Sequence, residues 1–131
     1  MVDALRMARE WIVPSGCVLD LHPTAGISTI YVGQVAAGPV DTGGASARHQ
    51  GATDAIASAA RDRLLTIQDA LEFDFWLHAD SLDELADYIV EHWRESRIGG
   101  ETLSRARELL RQQQASKVSV HEMISATRLK P

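Results

Sequence analysis

Hydrophobic positions along the chain switch between two periods, and the switches outline its elements. Leu5, Ala8 and Ile12 recur at spacings of three and four with Trp11 beside them, which predicts a helix over residues 3–12. Pro14-Ser15-Gly16 stops it. Residues 17–21 (CVLDL) form a short apolar run of the kind that makes a buried strand. His22-Pro23-Thr24-Ala25-Gly26 breaks the pattern, and residues 28–35 (STIYVGQV), β-branched and aromatic, predict a second strand. The short connection with its glycine favours an antiparallel hairpin between the two.

The turn-rich GPVDTGG of residues 38–44 leads to an alanine-rich helix over residues 46–65. Its stripe is Ala52, Ala55, Ile56, Ala59 and Arg63, small enough for close packing on a sheet. From residue 71 to 79 the period is two: Leu71, Phe73, Phe75, Leu77 and Ala79 face one way, with Glu72, Asp74, Trp76 and His78 opposed. That predicts a strand. Ser81 with Glu84 three residues later makes a capping-box pattern. Behind it Leu82, Leu85, Ala86, Ile89, Val90 and Trp93 form a wide apolar stripe, and Gly99-Gly100 ends the helix. Thr102 is placed to cap a further helix to about Gln113, with Leu103, Ala106, Leu109 and Leu110 inward. Residues 117–129 alternate as a closing strand. The order is α-β-β-α-β-α-α-β. This is an α/β half fold, a small mixed sheet of about four strands with helices mainly on one face, and residues 1–131 are expected to form one domain.

Composition narrows the function classes. An apolar fraction of 45% with 24% charged residues excludes wholesale disorder. A net charge of −5 is the wrong sign for gripping a phosphate backbone, so no nucleic-acid partner is expected. Arg105, Arg107 and Arg111 then read as a solvated helix face. Apolar runs fall far short of the ~20 residues that span a bilayer, and no membrane partner is expected. Residues 1–13 mix arginines with a glutamate and do not read as a signal peptide. The single cysteine, Cys17, excludes an internal disulfide and reads as an inert thiol starting a buried strand. A reduced, cytoplasmic setting follows as the expectation.

Few side chains carry candidate chemistry. Asp20 and His22 stand at the C-terminal end of a predicted strand, where α/β folds place ligands. A histidine beside an acid can act as a general base or hold an anion, although a plain turn histidine before proline competes with that role. Arg48-His49 opens the alanine-rich helix, where a cation meets either a carboxylate ligand or solvent. With Tyr31 on the second strand, Asp20, His22 and His49 form the candidate ligand-binding set. No catalytic residue is assigned. Asp74 and His78 share a strand face but stand about 13 Å apart at ~3.3 Å per residue, too far to chelate one metal ion. His92 reads as a surface residue near a helix C-terminus, and His121 as solvent-facing or at an interface.

Residues 4–21 (ALRMAREWIVPSGCVLDL) resemble one stretch of class I S-adenosylmethionine-dependent methyltransferases, the helix, Pro-Gly turn and fifth strand that open the C-terminal half. The strand over residues 71–79, the run from Ser81 to Trp93 and the closing strand near Leu129 are similar too. The resemblance implies a C-terminal half without the N-terminal part, whose glycine-rich loop and acidic residue hold the cofactor. It implies a stand-alone binding or assembly module, with no cofactor of its own and no catalysis alone. An edge strand deprived of its neighbour invites pairing, so a partner is expected. That partner is a second copy, in a homodimer using the sheet, or a separate cofactor-binding chain. Two alternatives remain: a divergent or split methyltransferase that binds S-adenosylmethionine, and a small-molecule-binding protein with its cleft near His22, Tyr31 and His49. A rival alignment takes residues 18–26 as a decayed cofactor loop and Asp41 as the acid. It needs residues 28–35 to be helical and puts His22 and Pro23 where glycines belong.

Overall fold

The computed structural model describes residues 2–114 and 117–131. Along them run α1 (Val2–Trp11), β1 (Val18–Pro23), β2 (Thr29–Val32), β3 (Val35–Pro39) and α2 (Ala45–Arg61). Then follow β4 (Thr66–Ala79), α3 (Leu82–His92), α4 (Gly100–Gln112) and β5 (Val118–Lys130). The strands join in one five-stranded sheet, in which β4 pairs β5 and the remaining order is β1-β5-β2-β3. The α/β class and the order of elements stand as expected, with one strand more than the four anticipated.

The extra strand comes from a turn inside the predicted second one. Gly33, at φ 58°, supplies the left-handed conformation of a tight two-residue hairpin, so β2 turns back as β3. The expected hairpin between β1 and β2 does not form. Both strands pair with β5, β1 from Val18↔Leu129 to Pro23↔Ile124 and β2 from Thr29↔His121 to Val32↔Val118. The sheet is antiparallel rather than mixed, because the last strand runs against each earlier one beside it. β2 and its turn also stand where the rival alignment requires a helix.

The chain divides into two compact units. One comprises Met1–Ala25, Ala47–Phe73 and Ile124–Pro131. Within it α1 and α2 cover one face of β1 and β5, around Leu5, Ala55, Ile56, Ala59, Leu65 and Leu129, while the β4 residues of this unit stay exposed. The alanine stripe packs as predicted, except that Arg63 lies beyond the helix at φ 56°. Cys17 is exposed, not the buried thiol expected, since the strand begins after it. Trp11 is exposed as well.

The second unit comprises Gly26–Ser46 and Asp74–Met123. Ile30 and Val32 of β2 pair with Val120 and Val118 of β5 and pack in one core with Leu85, Ile89, Ala106 and Leu109 of α3 and α4. Each large side chain so buried contributes about 2 kcal/mol. Of the alternating face predicted for β4, only Leu77 and Ala79 reach this core, while Phe75 stays exposed. Ser81 Oγ accepts the Glu84 N–H at 3.1 Å, the expected capping contact. Glu84 Oε2 in turn accepts from the Asp80 N–H at 2.9 Å, one residue before the cap. Val90 leaves the predicted stripe and is exposed; Trp93 caps α3 through its N–H to the Ile89 carbonyl. Gly99, not Thr102, is the N-cap of α4.

Candidate functional site

Asp20 and His22 are two residues apart on β1 and therefore share a face. Pairing with Thr127 and Ser125 sets that face. His22 Nδ1 donates to Asp20 Oδ2 at 2.6 Å; a carboxylate only accepts, so the bond places the ring hydrogen on Nδ1. The other nitrogen, Nε2, lies 3.1 Å from Thr53 Oγ1 on α2. That hydroxyl donates its hydrogen to the His49 carbonyl one turn earlier, at 3.3 Å. His22 is 9% exposed and the Asp20 side chain 13%, whereas Thr53 lies at the surface. His49 Nδ1 donates to the Thr24 carbonyl at 3.2 Å. Asp20, His22 and His49 thus come together in one unit, where β1 ends beside α2.

Tyr31 belongs to the other unit. Its ring meets Trp76 edge-on at 5.0 Å between centroids and His121 at 6.4 Å, and Trp76 lies 4.6 Å from His121. His121 Nε2 is 2.6 Å from Asp74 Oδ1, and His78 Nδ1 is 2.6 Å from Ser119 Oγ. Asp74 and His78 therefore each have their own partner on β5. Among the described residues, no three His, Cys, Asp or Glu side chains are grouped to hold a metal ion.

Elsewhere in this unit Asp41, half exposed, has one protein donor on each carboxylate oxygen. Its carboxylate accepts the Gly43 N–H at 3.2 Å and the Arg97 Nε–H at 3.3 Å. The Gly43 amide first, then the Arg97 guanidinium, hold its carboxyl below the usual carboxylate range against a small opposing effect of burial. The rival alignment gave this acid a ribose to bind; here its two oxygens already have protein donors.

The first unit also carries an open surface. On the face of β1 away from α2, Leu19 and Leu21 stand opposite Arg128 and Ala126 of β5. A shallow cleft of about 160 Å³ is lined by Leu19, Asp69, Ala70, Leu71, Ala126 and Arg128. Leu19, Leu21 and Leu71 are each more than half exposed, at 62%, 56% and 55%. Strand alternation extends the row on β4 to Ile67 and Phe73, both exposed.

Compared with protein-family models, characterised proteins and solved structures, the chain gives no match. Among the described residues, no helix is long and apolar enough to cross a membrane. Sequence reasoning missed Thr53, which follows His49 by four on α2 and so shares its face. The alanine stripe drew attention to the buried side of that helix. It also missed Trp76 and His121 as neighbours, for want of the β4–β5 register.

Proposed function

We propose that this chain is a binding and assembly module that works as a homodimer, joined through the open face of its first unit. The carrying observation is the row of exposed apolar side chains, Leu19 and Leu21 on β1, whose other face α2 covers, and Ile67, Leu71 and Phe73 on β4, which is exposed on both faces up to Trp76. A contiguous apolar surface of that kind marks an interaction site. Asp69 and Arg128 line the same cleft. In a two-fold pairing the same patch meets itself, and an axis passing between these two residues sets the acid of one copy against the base of the other. A second copy is therefore the fitting occupant.

The resemblance of residues 4–21 to the C-terminal half of class I methyltransferases supports the same reading, since a domain of that kind works in company. A reduced cytoplasmic setting belongs to the proposal and rests on the single cysteine. Sedimentation velocity across micromolar concentrations tests it. The wild type is expected to be a dimer, and Leu71→Asp a monomer with an unchanged circular dichroism spectrum. A wild-type monomer at every concentration sinks the homodimer. Calorimetry with S-adenosylmethionine addresses the alternative: micromolar binding moves the reading to a split methyltransferase.

A further inference from the structure

We propose that Thr53 is an activated nucleophile that accepts an acyl group from esters with good leaving groups. The array has the contacts that make a hydroxyl nucleophilic: a carboxylate on His22 Nδ1 at 2.6 Å, and a hydroxyl 3.1 Å from Nε2. With the ring hydrogen on Nδ1, Nε2 is the accepting nitrogen and faces Thr53, whose hydroxyl hydrogen turns from the His49 carbonyl, 3.3 Å away, to Nε2 for the transfer. Asp20 and His22 are shielded, which strengthens their attraction, while Thr53 is within reach of a substrate in solvent. The core of the unit holds both elements in place, since Val18 of β1 and Ala55 and Ile56 of α2 belong to it.

In the reaction, Thr53 Oγ attacks the acyl carbon as its proton passes to His22 Nε2. The Oγ–carbon bond forms, the bond from acyl carbon to leaving oxygen breaks, and the proton moves from Nε2 to the departing oxygen. Asp20 faces the imidazolium that exists between the two transfers and acts as a positioning residue. Thr53 sits inside α2, where backbone N–H groups are spent on the helix, so the array brings no donor for an oxyanion. That restricts the substrate class to activated esters and leaves amides unreactive. The inference is independent of the dimer, because it uses the face of β1 that α2 covers.

The test incubates the full chain with p-nitrophenyl acetate and maps acetyl groups by peptide mass spectrometry. One acetyl on Thr53 is expected, formed about 100-fold more slowly in His22→Gln, lost from that peptide in Thr53→Val and kept in Thr53→Ser. Asp20→Asn is expected to slow acetylation in step with loss of the Nδ1–H tautomer in the imidazole nitrogen spectrum of His22. Acetyl found on lysines alone, or on Thr53 equally fast in His22→Gln, overturns the proposal. Should His22→Gln fail to fold, Thr53→Ser and Thr53→Val decide between them. A labelled serine with an unlabelled valine variant supports the proposal, and equal labelling of that peptide in both overturns it.

Discussion

Thr102 donates its hydroxyl hydrogen to the Pro39 carbonyl at 2.9 Å, and Gly38 leaves the room for it to do so. A Cβ on Gly38 would stand 2.5 Å from Thr102 Oγ1, at a φ of +154° that side chains rarely adopt. The two residues clamp the first turn of α4 onto β3. Gly38→Ala therefore combines backbone strain with overpacking and is expected to cost about 3 kcal/mol in urea denaturation. Thr102→Val keeps the volume and loses only the hydrogen bond, an expected cost of about 1 kcal/mol. Equal effects of the two substitutions would show that close approach at Gly38 is unimportant.

Buried polar contacts tie distant parts of the second unit together. Ser28 donates to Glu122 Oε1 at 2.9 Å, with both side chains buried and 94 positions apart in the chain. Among the described residues, every buried side-chain nitrogen and oxygen has a hydrogen-bond partner. Ser28→Ala removes one bond to a carboxylate that cannot regain it from water. The expected loss is about 2 kcal/mol, read from the denaturation midpoint at constant m.

What could be read from the sequence was local. The period-two run at Leu71–Ala79, the stripe of α3 and its Ser81–Glu84 cap are short-range patterns, and each produced the right element. Partnership between strands is not local. Nothing in residues 17–35 says that both early strands will pair with a strand about a hundred residues later, and the tempting hairpin between them was the wrong solution. Gly33 lies inside the run that reads as one strand, and its β-branched and aromatic neighbours hide the turn it makes. The candidate site was legible in part: Asp20 and His22 lie two apart on one strand, so their contact follows from period two alone. Thr53 depends on how α2 lands on β1, which no spacing reveals. Cys17 and Val90 were misplaced because apolar character alone does not decide burial at the end of an element or the edge of a stripe.

Acid sensitivity should have a traceable component at Asp41. Its carboxyl is held below its ordinary value, chiefly by the Gly43 amide and then by Arg97, so the folded state binds that proton less readily than the unfolded chain does. Its stabilising contribution is therefore present above the ordinary carboxylate value and lost as pH falls through the lowered one. Asp41→Asn should flatten the fall in thermal midpoint below about pH 4 while both proteins fall together for their other acids. Parallel curves for wild type and variant would assign the acid limb elsewhere. The Asp41–Arg97 backbone pairing, two bonds of 2.9 Å, is left intact by the substitution.

The dimer makes a sharper prediction through charge than through apolar area. Asp69 and Arg128 line one cleft on the open face, and among the described residues no ion pair joins them. The proposed two-fold axis runs between them and sets each against its opposite across the interface, where like charges would be strongly unfavourable. Asp69→Arg alone places arginines against arginines and is expected to weaken association by at least about tenfold, or about 1.4 kcal/mol. Arg128→Asp alone should do the same with carboxylates. The double variant restores opposite charges with their positions exchanged, and its dissociation constant should return to within about tenfold of wild type. Sedimentation velocity measures all four proteins at matched ionic strength, and added salt should narrow the differences among them. If both single variants associate as tightly as wild type, the copies do not meet through this face.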